Sequence, residues 1–431
     1  MITIEVIQML FSYQGKQLTV KSLTPIYDNP TPKRAQAQLR GVWVTTVRNN
    51  DFPSQEVYQN GFNATLFKKE FDDIIQICQK FKLNAIFFQI RPEGDAFYPS
   101  GVNPWSEYLT GEQGLAPRDG FDPLAYIISK THQANMEFHA WLNPYRLSPW
   151  KNKTATKEEG LQNLSPNHYA RRHPDWVFHF NGQLYLNPGV PAVTDFMVAT
   201  VDEILNNYNV DAIHLDDFFY PYPYPEGDKM IQFKDVAPDQ DTFLKYRVDQ
   251  NQTISDWREA NVNSLVYNLH KTIQRYNYAN QKHVQFGISP FGIWASDQQA
   301  PGGSSTHPNQ LASLDEYVNT KLWIEAGWLD YVIPQIYWTF EDPLSPFAVT
   351  AKWWNDITSG TKTKLYIGLG LYLYQEDQFW QDPTEIIRQI DYIKTLPNVS
   401  GYVFFTFHNL LEKRATTDAM KQALKQLQTH L

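Results

Sequence analysis

The 431-residue chain has a single cysteine, Cys78, and few charged side chains. One cysteine excludes a disulfide within the chain and a thiol-rich zinc site, and its place in a helix-period segment predicts a buried structural thiol. Only 19% of the residues are charged and the net charge is −9. The sequence therefore offers no basic surface for nucleic acid. No window approaches 18 consecutive apolar residues, so we expect no membrane insertion.

The motifs of several enzyme classes are also missing. There is no HxH or HExxH spacing for zinc, no GxSxG elbow for a serine nucleophile, and no phosphate-binding loop, because Gly302-Gly-Ser-Ser lacks the lysine. We therefore expect no metal and no cofactor. The first 25 residues lack a basic region, an apolar run and a small-residue cleavage site, so we expect no export signal in the chain as written.

Aromatic residues are plentiful: they form 15% of the chain, with 13 Trp and 25 Tyr. A large core accounts for part of this ring surface. The remainder suits stacking on flat apolar faces, including the faces of sugars.

From Leu39 onward a short apolar run, a polar loop and a helix-period segment recur eight times. The predicted strands are Arg40–Thr45, Ala85–Ile90, Glu137–Leu142, Asp211–Leu215, Gln285–Ser289, Tyr331–Ile336, Leu365–Leu371 and Gly401–Phe405. The predicted helices are Leu66–Phe81, Pro123–Asn135, Val193–Tyr208, Ser255–Tyr276, Asn309–Gly327, Pro346–Ile357, Pro383–Leu396 and Thr417–Thr429. This alternation predicts an α/β fold, a (β/α)8 TIM barrel over residues 39–431. Residues 1–38 are expected to form an N-terminal extension, with a possible strand at Thr3–Leu10.

The longest loops follow the second, third and fourth predicted strands. They span Arg91–Gly120, Asn143–Ala192 and Phe218–Ile254. All three lie on the C-terminal face of the predicted barrel, where such barrels build their sites.

The stretch Val210–Pro221, which reads VDAIHLDDFFYP, is the strongest candidate for that site. In a strand, His214 and Asp216 point to one face, whereas Asp217 points to the other unless the chain turns. Asp216 is therefore expected to point from the strand end into the mouth of the barrel.

Other polar and aromatic side chains follow the neighbouring strands. They are Arg91, Glu93 and Asp95 after the second strand; His139, Trp141, Asn143, Tyr145 and Arg146 on and after the third; Trp294 after the fifth; and Gln335, Tyr337, Trp338 and Glu341 around the end of the sixth. Carboxylates among amides and indoles suit hydrolysis at an acetal carbon, where one carboxyl protonates the leaving oxygen and another stabilises or attacks the sugar.

An ordered set of motifs resembles the glycosyl hydrolase-like 10 family: RGVWVTTV, FFQIRPEGDAFYPSGVNPWSEYLTGEQG, HAWLNPYR, LYLNPGVPAV, VDAIHLDDFFYP, GISPFGIW, YVIPQIYW and YIGLGLYLY. The resemblance covers about residues 39–407. It implies a TIM-barrel glycoside hydrolase acting on a bacterial cell-wall or related amino-sugar glycan, since relatives include a hydrolase of peptidoglycan strands stripped of their peptides. It also implies a location outside the cytoplasm. Because we expect no export signal in the chain as written, the localisation stays open.

Our leading interpretation is a glycoside hydrolase with a polysaccharide or oligosaccharide substrate. Asp216 is the expected nucleophile or base, and Asp217, Asp95 or Glu341 the expected general acid. The residues expected to bind the sugar are Arg91, Glu93, His139, Trp141, Asn143, Tyr145, Arg146, His214, Trp294, Gln335, Tyr337 and Trp338. Two alternatives stay open: a carbohydrate-binding barrel without catalysis, and a metal-dependent deacetylase or amidohydrolase with His139, His214 and Asp216 as ligands.

Overall fold

A computed structural model describes residues 38–148, 153–309, 311–377 and 379–431, together with the backbones of the paired strands Ser12–Tyr13 and Lys16–Gln17. Eight parallel strands close into a barrel in chain order, and the first strand pairs with the eighth. They are β1 Leu39–Val44, β2 Ala85–Arg91, β3 Glu137–Leu142, β4 Ala212–Leu215, β5 Gln285–Ile288, β6 Tyr331–Val332, β7 Lys364–Gly370 and β8 Val399–Phe405. The predicted (β/α)8 barrel is confirmed.

Eight main helices follow the strands: α1 Ala64–Lys80, α2 Pro123–Gln133, α3 Pro191–Asn207, α4 Ile254–Asn280, α5 Thr320–Glu325, α6 Phe347–Thr358, α7 Glu385–Lys394 and α8 Asp418–His430. Several begin at a side chain that accepts a hydrogen bond from the first turn. Asn63 caps α1, Asp122 caps α2 ahead of Pro123, and Thr417 caps α8. These caps explain why the helix starts were close to those predicted.

The prediction was wrong for the helix Asn309–Gly327. A 3-10 turn at Ser313–Glu316 ends at Tyr317, whose φ of 60° is left-handed, and α5 begins only after Asn319. The predicted strand Tyr331–Ile336 was also too long, because only Tyr331–Val332 pairs as a strand. Pro334 has no amide hydrogen to give to a ladder.

Loops on the C-terminal face carry the remaining short elements. These are Val47–Asn49 and Gln55–Val57 after β1; Glu107–Thr110 and Arg118–Gly120 after β2; Lys157–Asn163, Tyr169–Arg172, Pro174–Trp176 and the hairpin Val177–Phe180 with Gln183–Leu186 after β3; the hairpin Tyr224–Glu226 with Lys229–Ile231, then Phe233–Val236 and Gln240–Tyr246, after β4; Leu373–Glu376 after β7; and Phe407–Leu410 and Glu412–Arg414 after β8. The loops after β2, β3 and β4 were predicted to be long. A fourth long loop, residues 289–319, follows β5 and was not singled out.

The core has two layers. Inside the barrel pack Leu39, Trp43, Ala85, Phe87, Trp141, Ala212, Tyr331, Ile333, Tyr366 and Val403, and a larger apolar layer fills the space between strands and helices. Cys78 lies in the outer layer, fully buried, and burial raises the pKa of its thiol to about 12. The predicted structural thiol is confirmed.

No helix in the described ranges is both long and apolar enough for a membrane crossing. The possible strand Thr3–Leu10 falls outside the described residues. The division of the chain at residue 38 stays a prediction, and the barrel itself starts at Leu39.

Candidate active site

Asp216 lies just beyond the end of β4, and hydrogen-bond donors hold its carboxylate in place. The Trp141 indole nitrogen donates to Oδ2 at 2.9 Å and the Asn143 amide nitrogen at 3.2 Å. The backbone N–H of Phe218 donates to Oδ1 at 3.2 Å. All three donors favour an ionised carboxylate of fixed orientation.

Burial opposes these donors. Asp216 is only 4% exposed. Burial raises its pKa to about 6, the neighbouring charge of Asp217 adds to the rise, and Arg146 and Trp141 partly offset it. A carboxyl group that titrates near neutrality at the mouth of a barrel is a strong candidate for catalysis.

Asp217 lies beside Asp216 rather than on the opposite side of a strand. The strand ends at Leu215, and the Phe218 N–H closes a turn onto Asp216. The Tyr222 hydroxyl donates a short hydrogen bond to the Asp217 carboxylate, and the Gln335 side chain also bonds it. Burial raises the pKa of Asp217, and these two hydrogen bonds offset part of that rise.

Arg146 supplies positive charge to this cluster. Its guanidinium donates to the Pro92 carbonyl at 3.3 and 3.2 Å, lies 3.8 Å from Glu93 and covers the Phe218 ring at 5.0 Å. It lowers the pKa values of Asp216 and Asp217. One side chain thus connects the loops that follow β2, β3 and β4.

Glu93 and Asp95 form a second pair of buried carboxyl groups. Glu93 accepts a hydrogen bond from the Tyr108 hydroxyl at 2.9 Å, and burial raises its pKa to about 7. Asp95 is fully buried, and burial raises its pKa to about 6. Its Oδ1 accepts from the Glu93 N–H at 3.3 Å, and hydrogen bonds from Ser106 and from the Glu93 backbone offset part of the rise.

Glu316 is a candidate that reasoning from the sequence missed. It is 5% exposed and ends the 3-10 turn in the loop after β5. Burial raises its pKa well above the ordinary value, and the charges of Asp315 and Asp217 raise it further. Glu316 falls within the predicted helix Asn309–Gly327, and the helices of such a barrel pack outside its strands. Asn319, which accepts from the Leu322 N–H as the cap of α5, was the signal that could have shown the later helix start.

His139 and His214 lie inside the barrel, not in its mouth. Trp43 can only donate, and its indole nitrogen lies 3.2 Å from His214 Nε2. His214 Nδ1 contacts the Tyr331 hydroxyl at 3.2 Å, and that hydroxyl contacts His139 Nδ1 at 2.9 Å. His139 Nε2 faces Glu137 at 3.3 Å. Burial lowers the pKa of His214 well below its ordinary value, so a neutral His214 takes part in a hydrogen-bond network inside the barrel.

No group of three or more His, Cys, Asp or Glu side chains in the described part of the chain is arranged to hold a metal ion. The three ligands of the metal-dependent alternative have other hydrogen-bond partners. Tyr331 contacts both His139 and His214, and Trp141 and Asn143 donate to Asp216.

Of the remaining predicted residues, two aromatic side chains lie near the mouth and four residues lie away from it. Tyr337 and Trp338 are half-buried near the strand ends, Tyr337 against Phe405 and Trp338 against Phe291, with ring centroids 5.8 and 5.7 Å apart. Phe405 was not predicted as a site residue, although it ends β8. The aromatic mouth therefore includes rings from β6 and β8.

Four predicted residues lie away from the open mouth. Arg91 is fully buried and donates to Asn103, the Asn143 and Pro144 carbonyls and the Tyr169 hydroxyl. Tyr145 is fully buried against Phe219, and Trp294 stacks on Trp353. Glu341 is 66% exposed and pairs with Arg388 at 2.6 Å. The structure does not bring Glu341 together with Asp216 and Asp217, the twin aspartates.

Known proteins resemble the chain in sequence and in fold. The family model of the glycosyl hydrolase-like 10 family matches residues 38–383. The glycosyl hydrolase YngK of Bacillus subtilis is 40% identical over 379 residues, which cover 88% of this chain and 69% of that protein. The glycosyl hydrolase DigH of Escherichia coli K12 is 33% identical over 403 residues, which cover 90% of this chain and 87% of that protein.

Solved structures of much lower identity share the fold. The glycoside hydrolase domain of PgaB (BpsB) from Bordetella bronchiseptica aligns with a TM-score of 0.50 at 11% identity, over 90% of this chain and 99% of that one. Alpha-L-fucosidase isoenzyme 2 from Paenibacillus thiaminolyticus aligns with a TM-score of 0.50 at 13% identity, over 91% of this chain and 49% of that longer chain. The family match and the two relatives show that the chain belongs to the glycosyl hydrolase-like 10 family of glycoside hydrolases.

Proposed function

We propose that the protein cleaves O-glycosidic bonds in a bacterial cell-wall type of amino-sugar glycan, with Asp216 as the nucleophile or base. The observation that carries the proposal is the Asp216 carboxylate, which Trp141, Asn143 and the Phe218 N–H orient beside Asp217. Such a group can attack an anomeric carbon or activate a water molecule, and it stabilises the positive charge that develops on the sugar.

The leaving oxygen needs a proton, and Glu316 is the acid that we favour. Burial raises the pKa of its carboxyl group well above the ordinary value, and the nearby charges of Asp315 and Asp217 raise it further, which favours the protonated form that an acid needs. Asp217 is the alternative. It accepts hydrogen bonds from Tyr222 and Gln335, which favour its ionised form. Asp95 and Glu341 are less suited, because Asp95 is fully buried and Glu341 pairs with Arg388 at the surface.

Half-buried rings near the strand ends suit the faces of N-acetylated sugars. The rings of Tyr337, Trp338 and Phe405 offer flat apolar surfaces on which a sugar ring can stack. The guanidinium of Arg146 lowers the pKa values of Asp216 and Asp217 and so favours their ionised forms. The choice of a cell-wall glycan follows the motif resemblance.

The proposal is tested by incubating the wild-type protein with three polymers: intact peptidoglycan, peptide-free peptidoglycan strands and chitin oligosaccharides. New reducing ends and product masses are measured by mass spectrometry. We expect cleavage of peptide-free strands that Asp216→Asn loses. Full activity in Asp216→Asn would contradict the catalytic assignment, and cleavage of none of the three polymers would contradict the substrate class.

A further inference from the structure

Asp51, in the loop after β1, is a carboxylate with five hydrogen bonds and no part in the chemistry described above. Oδ2 accepts from the Thr45 N–H and hydroxyl, both at 2.7 Å. Oδ1 accepts from the Thr406 hydroxyl at 2.9 Å, from the His408 N–H at 2.9 Å and from His408 Nδ1 at 2.7 Å. The Asp51 side chain is 0% exposed. It therefore joins the ends of β1 and β8 and fixes the imidazole of His408.

The orientation of this ring leaves its other nitrogen available. Because Asp51 binds Nδ1, the proton of the neutral ring stays on Nδ1 and Nε2 is an acceptor, whereas the charged ring donates from both nitrogens. No described residue hydrogen-bonds Nε2 of His408, and the side chain is 22% exposed. An oriented nitrogen of this kind can accept from or donate to a sugar hydroxyl.

The strand order places this ring across the mouth from the twin aspartates. β8 pairs with β1, and in a closed barrel of eight strands the β8–β1 pair lies opposite β4 and β5. Phe405, three residues before His408, is half-buried and packs against Trp43 and Tyr337 with ring centroids 5.9 and 5.8 Å apart. A sugar at Asp216 therefore lies between the aspartate side and the β8 side of the mouth.

A purely structural role does not account for the ring. Asp51 already joins β1 to β8 through Thr45, Thr406 and the His408 N–H, so the strand ends stay connected without the imidazole. We propose that His408, oriented by Asp51, is a substrate-binding residue that hydrogen-bonds a hydroxyl or acetamido group of the sugar seated at Asp216. The proposal rests on the proposed function and extends it to the opposite wall of the mouth.

The chain offers a matched control at the other end of the barrel. His132 Nε2 lies 2.8 Å from Asp211, which also accepts from the N–H of Phe138 in β3, and both side chains are about one-third exposed. This second histidine–aspartate pair lies at the N-terminal ends of the strands. His132→Ala removes an imidazole of the same kind without touching the mouth.

The experiment measures kcat and KM on peptide-free peptidoglycan strands for the wild type, His408→Ala, His408→Gln and His132→Ala. We expect His408→Ala to raise KM by roughly tenfold with a smaller change in kcat, and His408→Gln, which keeps a polar terminus, to recover part of the loss. His132→Ala should leave both constants unchanged. A KM for His408→Ala within twofold of the wild-type value would overturn the proposal, and so would an equal loss in His132→Ala.

A binding measurement separates this inference from the proposed function. Calorimetry with an N-acetylglucosamine–N-acetylmuramic acid tetrasaccharide compares the wild type with His408→Ala, and it does not need cleavage. Weaker binding by His408→Ala supports the proposal even when the wild type cleaves no strand, because binding of the tetrasaccharide does not depend on cleavage. Equal affinity, or no binding by either protein, overturns the proposal.

Discussion

Two inward polar residues, His214 in strand β4 and Asp216 just past its end, lie in very different surroundings. His214 is fully buried among Trp43, Ser289 and Tyr331, and burial keeps it neutral. Asp216 is two residues further on, past the end of the strand, among donors that favour its charge. The alternation of the strand predicts the same face for both residues, yet only Asp216 reaches the mouth.

This difference shows what decides function in the barrel. A polar side chain inside the strand layers must satisfy every donor and acceptor within the core, and it is then a packing element. Two residues later along the chain, the layers of side chains inside the barrel end. A side chain that points inward at that position reaches a site that a ligand can enter. Depth along the barrel axis, more than facing inward, therefore separates the two clusters.

The difference between His214 and Asp216 predicts that Asp216→Asn has the largest effect on the rate of cleavage. We expect kcat to fall by roughly 10³-fold or more, because the amide can neither attack nor activate water, with glycan affinity kept within a few fold. Steady-state rates and calorimetry on the same glycan measure the two quantities. A similar loss of rate in a variant of His139, inside the barrel, would remove the distinction between the clusters.

Glu316→Gln should have the next largest effect. We expect kcat to fall by about 10²- to 10³-fold on glycans, because their leaving oxygen needs a proton. Aryl glycosides with acidic phenol leaving groups need little protonation, so their cleavage should fall far less. Rates on both substrate types are compared with those of Asp217→Asn. If Asp217→Asn shows the leaving-group dependence and Glu316→Gln does not, Asp217 is the acid.

Glu316 also shows why the sequence predicted the fold better than the site. Eight strands were readable because short apolar runs alternate with helix-period segments, and the inward direction of Trp141 and Asp216 followed from alternation. The position of Glu316 depends instead on Tyr317, whose left-handed backbone ends a 3-10 turn although the helical periodicity of the sequence continues. The residue types around such an interruption give little indication that the helix stops there.

The twin aspartates are a second case in which the sequence alone did not predict the backbone. Alternation predicts opposite sides for Asp216 and Asp217, and that rule applies only within a strand. The strand ends at Leu215, and the turn closed by the Phe218 N–H brings both carboxylates together. The position at which a strand stops depends on pairing with its neighbours, which a single sequence does not contain.

The buried carboxyl groups around Arg146 predict a pH dependence of stability. Burial raises the pKa values of Glu93, Asp95 and Asp216 to about 7, 6 and 6. These three carboxyl groups thus bind more protons in the folded protein than in the unfolded chain between about pH 4 and 7, and their contribution to stability falls as the pH rises through that window. Between pH 5 and 8, the wild-type protein should therefore lose roughly 2 kcal/mol more stability than Glu93→Gln, as chemical denaturation at both pH values measures. Glu341→Gln, at an exposed carboxylate, is the control. The same change in stability from pH 5 to 8 in Glu93→Gln and the wild type would contradict this expectation.

His139→Leu should have the smallest effect, and an effect on stability alone. The leucine removes the hydrogen bond to the Tyr331 hydroxyl, which keeps its contact with His214, so the free energy of unfolding should fall by about 1–2 kcal/mol. Chemical denaturation measures that loss, and kcat/KM per folded molecule should stay within a few fold of the wild-type value. Tyr331→Phe is the matched variant, since it removes the partner of both histidines and should destabilise the protein more. If His139→Leu instead lowers kcat by tenfold in a fully folded protein, the network inside the barrel takes part in positioning the site, and depth along the barrel axis does not separate core from function.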